Sequence, residues 1–433
     1  MHDINLIDSN IVTNWEFSLD CAKKLDQNDK LNSIRDQFHL PTFKSNVVYF
    51  TGNSLGLQPK TVKSHIQTEL DDWAKWGVEG HTHATNPWMP YHELLTNKIA
   101  KIVGAKDTEV AVTHSLTTNL HLLMVSFYRP KGKRIKILCE KKAFPSDQYA
   151  LQSQVNFHGF DAKDTIVEIS AREGEHTIRT EDVIQKINEL GDELCMIMIG
   201  GVNYFTGQVF DMQAITKAGH KAGAIVGFDL AHGVGNIPLN LNEWNVDFAA
   251  WCSYKYLNSG PGGVSGYYIN EKHVSNNKIP RFAGWWGHNK EDRFKMPNQF
   301  SPIPTAESWQ LSNAPVISMA VHLASLEIFE KVGMNKLREK SIQLTNYLEY
   351  VINEINFNKN NCLEIITPKD INQRGCQLSI VAHGSNKVLF DKISEAGVVA
   401  DWREPNVIRI APVPLYNSFE DVYRFGEILQ KSL

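Results

Sequence analysis

The stretch Ala224–Gly266 constrains the fold of this chain more than any other. It holds two apolar runs of strand length, Ala224–Phe228 closing on Asp229, and Asp247–Cys252 leading into Ser253-Tyr254-Lys255-Tyr256 and a glycine-rich loop. Both runs carry their polar residues at the C-terminal end. In parallel α/β sheets the ligand crevice lies outside those ends, so Asp229, His232, Tyr254 and Lys255 are expected to converge on one pocket. Singly, an acid at a strand end or a lysine before a glycine loop is an ordinary feature. Their order carries the information. An acid, an imidazole and a lysine so placed suit pyridoxal phosphate, which takes a lysine at its aldehyde and an acid at its ring nitrogen.

The flanking chain alternates strand-like and helical patterns. Ile135–Cys139 and Leu194–Gly200 read as buried strands, and Val62, Ile66, Leu70 and Trp73 recur at helical spacing. Further helices are expected over Tyr91–Val103, Leu116–Phe127, Thr180–Leu190 and Gln213–Ala222. Such alternation with short links predicts a mostly parallel sheet with right-handed crossovers. The strand-turn-helix around Ser115, Leu116, Thr117 and Thr118 suits a phosphate, because first-turn amides lack partners and adjacent hydroxyls add donors. Plain N-capping accounts for the same hydroxyls. Phe144-Pro145-Ser146-Asp147 follows the 135–139 run and so also lies near a strand's C-terminal end.

Beyond residue 270 the pattern changes. Residues 298–315 are proline-rich and read as a linker, and 77–88 read as a loop. Two long helical patterns, Val316–Val332 and Leu337–Ile355, precede strand-like segments and a closing helix from Ser418. We expect an N-terminal arm or part of the small domain over 1–45, a large domain over 46–312, and a small α+β domain over 313–433.

A net charge of -4 with scattered basic residues argues against nucleic acid. Six cysteines without a CxxC pair point to a reducing compartment. No apolar run approaches the ~20 residues of a membrane span, and the N-terminus lacks a signal-peptide pattern; a cytoplasmic location is expected. GPGGVSG at 260–266 misses the dinucleotide fingerprint by one place. His81-Thr82-His83 has metal-pair spacing, but no apolar strand precedes it, and zinc needs three or four ligands; no metal is expected. Arg409, in the strand-like run VIRIAP, is either a solvent-facing cation or a carboxylate clamp, since its planar fork suits that group.

With these residues in hand, the chain resembles the kynureninase family over nearly its whole length. The likeness is dense in YFTGNSLGLQP, KAFPSDQYA, VGFDLAHGVGN, WCSYKYLNSGPGG, HLASLEIFE and APVPLYNSFEDVYRF. It implies fold type I, the α/β aspartate-aminotransferase-like architecture, pyridoxal phosphate as cofactor, and hydrolytic cleavage of kynurenine or 3-hydroxykynurenine. By resemblance, Lys255 is the Schiff-base lysine and Asp229 the pyridinium partner. His232 and Asp147 lie close to the ring, and Phe144 stacks on it beside Pro145 and Ser146. Leu116 and Thr117 seat the phosphate, and Tyr254 touches it and assists proton transfer. Trp285 and Asn313 reach the site of a neighbouring subunit, which implies a homodimer. Arg409 clamps the substrate carboxylate; Ser54, His81 and Asn313 surround its aromatic end. Where relatives carry a hydroxyl beside the cofactor, this chain has Gly200. A desulfurase of the same fold would need a mobile late cysteine, for which Cys362 and Cys376 are the candidates.

Overall fold

The computed structural model describes residues 15–276, 278–359 and 362–433. Thirteen strands occur among them: β1 Val48–Tyr49, β2 Val110–Val112, β3 Lys136–Glu140, β4 Ile166–Ile169, β5 Leu194–Gly200, β6 Ile225–Asp229, β7 Phe248–Trp251, β8 Gly266–Ile269, β9 Leu363–Ile365, β10 Leu378–Ala382, β11 Val398–Val399, β12 Asp401–Arg403 and β13 Val407–Ile410. The chain divides into two compact units. Among the described residues, one comprises 15–60, 205–208 and 332–433, the other 61–204 and 209–331. These breaks fall away from the expected 45/46 and 312/313 boundaries: 46–60 group with the C-terminal unit, and 313–331 with the central one.

The central unit is built on a seven-stranded sheet of order β2-β8-β7-β6-β5-β3-β4. Strands β4, β3, β5, β6 and β7 run parallel, while β8 is antiparallel to both its neighbours. This is the expected α/β sheet. Strand β5 is buried from Leu194 to Ile199, as a strand covered on both faces must be. Register pairs Gly200 with Asp229 and Asp229 with Ala250, so the polar ends of β5, β6 and β7 share one edge. A close approach explains Gly227: the Phe248 ring lies over it, and an added Cβ would sit 2.2 Å from Phe248 Cζ. Phe248 in turn stacks on Phe127, centroids 4.9 Å apart. Burying each ring contributes about 1.5–3 kcal/mol. This contact holds the helix Leu116–Phe127 against the sheet.

The other unit holds a four-stranded sheet, β12-β13-β10-β9, with antiparallel pairs throughout, and the parallel pair β1-β11. Its core gathers Val48, Leu344, Leu348, Val351, Leu378, Ile410, Val422 and Phe425. The long helix Met334–Phe357 and the closing helix Phe419–Ser432 supply much of it. Ser418 caps the latter through a reciprocal capping box with Asp421.

Three expectations need correction. The helix Val62–Trp76 forms and stops at Gly77, but it buries only the start of its apolar stripe, Val62, with Ile66 half-buried. Leu70 and Trp73 are exposed, whereas Glu69 and Asp72 are buried. Glu69 accepts hydrogen bonds from Asn86, Trp88 and Tyr91, and Asp72 from the Thr85 N–H; those donors turn the acids inward. Residues 77–83, read as loop, form a 3-10 turn and the short helix Gly80–His83. Residues 298–315 are no linker. Trp309 is buried in the central unit, its indole N–H donating to Ser126, with the Arg281 guanidinium 3.8 Å over its ring.

Candidate active site

The C-terminal edge of the parallel strands gathers Asp147, Asp229, His232 and Lys255, with Phe144 beside them. Asp229 ends β6, and a tight turn follows: Gly233 and Val234 N–H groups both donate to the Leu230 carbonyl. The Asp229 carboxylate accepts from the Ala231 N–H at 2.6 Å, which fixes its rotamer. The same turn carries His232, whose Nε2 lies 3.0 Å from Lys255 Nζ. Lys255 follows β7 in a turn closed by Asn258 N–H to the Lys255 carbonyl. Its ammonium lies 5.9 Å from the centre of the Phe144 ring, and Phe144 meets Tyr204 edge-on. Lysine, imidazole and aromatic ring thus face one space.

Asp147, in the first turn of the helix Pro145–Phe157, hydrogen-bonds with Asp229. Two facing carboxyl groups cannot both ionise freely. Loss of hydration raises both above the ordinary carboxylate range, and for Asp147 the Asp229 charge adds to it. Lys255 is the cation that pulls the other way. Such a pair suits a ligand that brings a positive charge. The fit to the implied cofactor extends to its phosphate. The helices starting at Leu116 and Pro145 have no side-chain cap, and Thr117 Oγ1 and Ser146 Oγ meet at 2.8 Å between them. Uncapped amides with paired hydroxyls form an anion seat.

Tyr254 precedes Lys255 in the chain, and burial pushes its phenol above the ordinary value. Cys252, likewise shifted up by burial, contacts that hydroxyl. His81 gives its Nδ1 to the Val78 carbonyl and packs edge-on to Trp88. His83 instead stacks on Trp76 and contacts Thr82, so the two imidazoles serve different neighbours. Trp285 and Asn313 remain exposed on this chain, the Trp285 indole donating to the Arg293 carbonyl. In the other unit, Arg409 is buried and ion-pairs with Asp401, which also accepts from Ser54 at 2.7 Å. Of the late cysteines, Cys376 is buried and Cys362, just before β9, is half-buried.

Sequence reasoning overlooked Glu140, the acid that closes β3 as Asp229 closes β6. Both its carboxylate oxygens face the Gly200 N–H, at 3.2 and 3.3 Å. Burial shifts this carboxyl up to about 7. A Cβ at position 200 would lie 3.0 Å from Glu140 Oε1, so the glycine and the buried acid go together. The rule that singled out Asp229 would have found Glu140 as well. The group His92, Glu93 and Glu307 has the spacing of a cation site, but Lys290 already bridges both carboxylates there at 2.8 Å.

Comparison with known proteins agrees with this picture. Residues 337–429 match the family model described as the kynureninase C-terminal domain. Kynureninase of Christiangramia forsetii is 58% identical over 97% of this chain and 99% of its own. Kynureninase of Mus musculus is 46% identical over 95% and 92%. Among solved structures, C-DES with glycine covalently linked to its PLP cofactor has a TM-score of 0.75 at 16% identity, covering 91% of this chain and 98% of that one. The apo cysteine desulfurase of Thermococcus onnurineus NA1 scores 0.74 at 17% identity, covering 92% and 97%. At that identity the likeness establishes the fold, fold type I, and the close relatives establish the rest: this chain belongs to the kynureninase family.

Proposed function

We propose that the protein is a pyridoxal-phosphate-dependent hydrolase that cleaves the Cβ–Cγ bond of L-kynurenine, giving anthranilate and L-alanine. It cleaves 3-hydroxy-L-kynurenine to 3-hydroxyanthranilate and L-alanine in the same way. The observation that carries this reading is the meeting of Lys255, His232 and the Asp147–Asp229 pair at one sheet edge, in a chain 46–58% identical to kynureninases.

Bound pyridoxal phosphate supplies an electron sink for the carbanions at Cα and Cβ. Lys255 anchors it through Nζ. Asp229 would hold its ring nitrogen and, by opposite charge, favour a proton there; Asp147 and His232 would support that contact. Phe144, just before the helix that Pro145 starts, would pack against the ring. The amides at Leu116 and Thr117, with the Thr117 and Ser146 hydroxyls, hold the phosphate. Lys255, once free, takes the proton from the substrate Cα. Water adds to the γ-carbonyl, the Cβ–Cγ bond breaks, and the aromatic acid leaves. A proton delivered to Cβ, a role we assign to Tyr254, and return of the proton held by Lys255 to Cα complete alanine. Arg409 holds the α-carboxylate, and His81 and Asn313 line the aromatic end, at the ring hydroxyl of the 3-hydroxy substrate.

The active species is a homodimer in the cytoplasm, with Trp285 and Asn313 contributed to the neighbour's site. Trp285, on the central unit, is exposed on this chain, as a residue lent to a neighbouring copy would be. No described helix is long and apolar enough to cross a membrane. The activity places the protein in tryptophan breakdown and, through 3-hydroxyanthranilate, in NAD synthesis. The test is product analysis: incubation with L-kynurenine should release anthranilate and alanine in equal amounts. A keto acid or released sulfide from other amino acids, with no anthranilate, would refute the reading. Sedimentation velocity should give twice the chain mass.

A further inference from the structure

Asp401 is placed by strand geometry, not by chance proximity. On antiparallel β12 and β13 it lies directly opposite Arg409, and Arg403, two residues along β12, shares its face. A single oxygen of Asp401, Oδ2, takes three donors: the Ser54 hydroxyl at 2.7 Å, Arg403 Nη2 at 3.1 Å, and Arg409 Nη2. Arg409 is 1% exposed, so the orientation of its fork is set by what it is bonded to. One negative charge is divided between two guanidiniums, and neither is fully neutralised by it.

We propose that Asp401 is the positioning residue of the substrate-carboxylate clamp: it orients the Arg409 fork and the Ser54 hydroxyl through one shared oxygen, and so sets selectivity for an α-carboxylate. The proposal rests on the reading that Arg409 receives that carboxylate. Asp401 itself does not touch the substrate. It holds Arg409 in one rotamer before binding, so that the substrate does not have to order a long side chain. Ser54, expected at the aromatic end, is instead tied to this cluster.

The test compares L-kynurenine with its α-carboxamide, which keeps the shape and loses the charge. In Asp401→Asn holoenzyme, kcat/KM for kynurenine should fall about tenfold or more, mainly through KM, while the carboxamide changes less than about threefold. The dissociation constant of L-alanine, read by calorimetry, should weaken in step. Asp401→Glu, which keeps the charge but moves it by one methylene, should give an intermediate loss and serves if the asparagine variant does not fold. Arg409→Met is measured in parallel. If it abolishes discrimination between acid and amide while the Asp401 variants keep it, the positioning role is wrong and the clamp stands. Equal losses on both substrates likewise overturn the proposal, since a merely structural ion pair acts that way. If Arg409→Met leaves discrimination intact, the clamp reading falls and the proposal with it.

Discussion

Replacing Asp229 by asparagine removes one charge and almost nothing else. The side chain keeps its size, and its oxygen can still accept from the Ala231 N–H that fixes it at 2.6 Å. What is lost, on the function proposed above, is the carboxylate that would face the cationic ring nitrogen. Asp229 is 7% exposed, so water does not replace it. Removing one partner of a buried charge pair costs about 3–5 kcal/mol, or roughly two to three and a half orders of magnitude in affinity. The neighbouring Asp147 sets the control. Without Asp229 its carboxyl loses the like charge that raises it and ionises more readily, but it lacks the same backbone anchor. Asp147→Asn should therefore weaken cofactor binding less than Asp229→Asn does. The assay is titration of cofactor-free protein with pyridoxal phosphate, followed by visible absorbance. The wild-type titration also has a signed pH dependence. Burial keeps the pair protonated above the ordinary carboxylate range, and a cationic ligand favours the ionised form. Affinity should rise with pH through that titration, with proton release on binding. If Asp229→Asn binds within about threefold of wild type, the carboxylate does not face the ring nitrogen.

Other expectations follow from single contacts. Glu140, shifted from 4.5 to about 7 by burial, retains its proton in the folded chain where the unfolded chain has lost it. Stability of the cofactor-free protein should therefore fall as pH rises from 4.5 to 7, by about 3 kcal/mol. Glu140→Gln should flatten that slope in chemical denaturation, and an unchanged slope would remove Glu140 as its source. Gly227→Ala puts a methyl 2.2 Å from Phe248 Cζ and should cost about 1–3 kcal/mol, read as a lower Tm; an unchanged Tm would contradict the close packing there. His81→Ala should lower kcat/KM for 3-hydroxykynurenine more than for kynurenine, and an equal effect on both would take His81 away from the ring hydroxyl.

Much of the central unit was legible because its signals are local. Apolar runs ending in Asp229 and before Lys255 announce parallel strands, and Gly77 and Gly104 mark two helix ends where positive φ is needed. The pieces that misled depend on distant partners. Nothing near Glu69 announces that Asn86, Trp88 and Tyr91 will draw it inward and leave Trp73 outside. Proline-rich 298–315 looked like a linker because the partners of Trp309, namely Ser126 and Arg281, lie elsewhere in the chain. The roles of Thr117, Ser146 and Arg409 came from family resemblance. Spacing alone left Thr117 as either a phosphate seat or a plain cap, and Arg409 as either a strand cation or a carboxylate clamp.

The central claim is that Lys255 is the lysine that carries the cofactor. Reduction of the holoenzyme with borohydride, followed by proteolysis and mass spectrometry, reads this directly. The pyridoxyl group should be found on the peptide containing Lys255 and be absent from the Lys255→Ala protein. A label on any other lysine, or labelling that survives that substitution, would contradict the account.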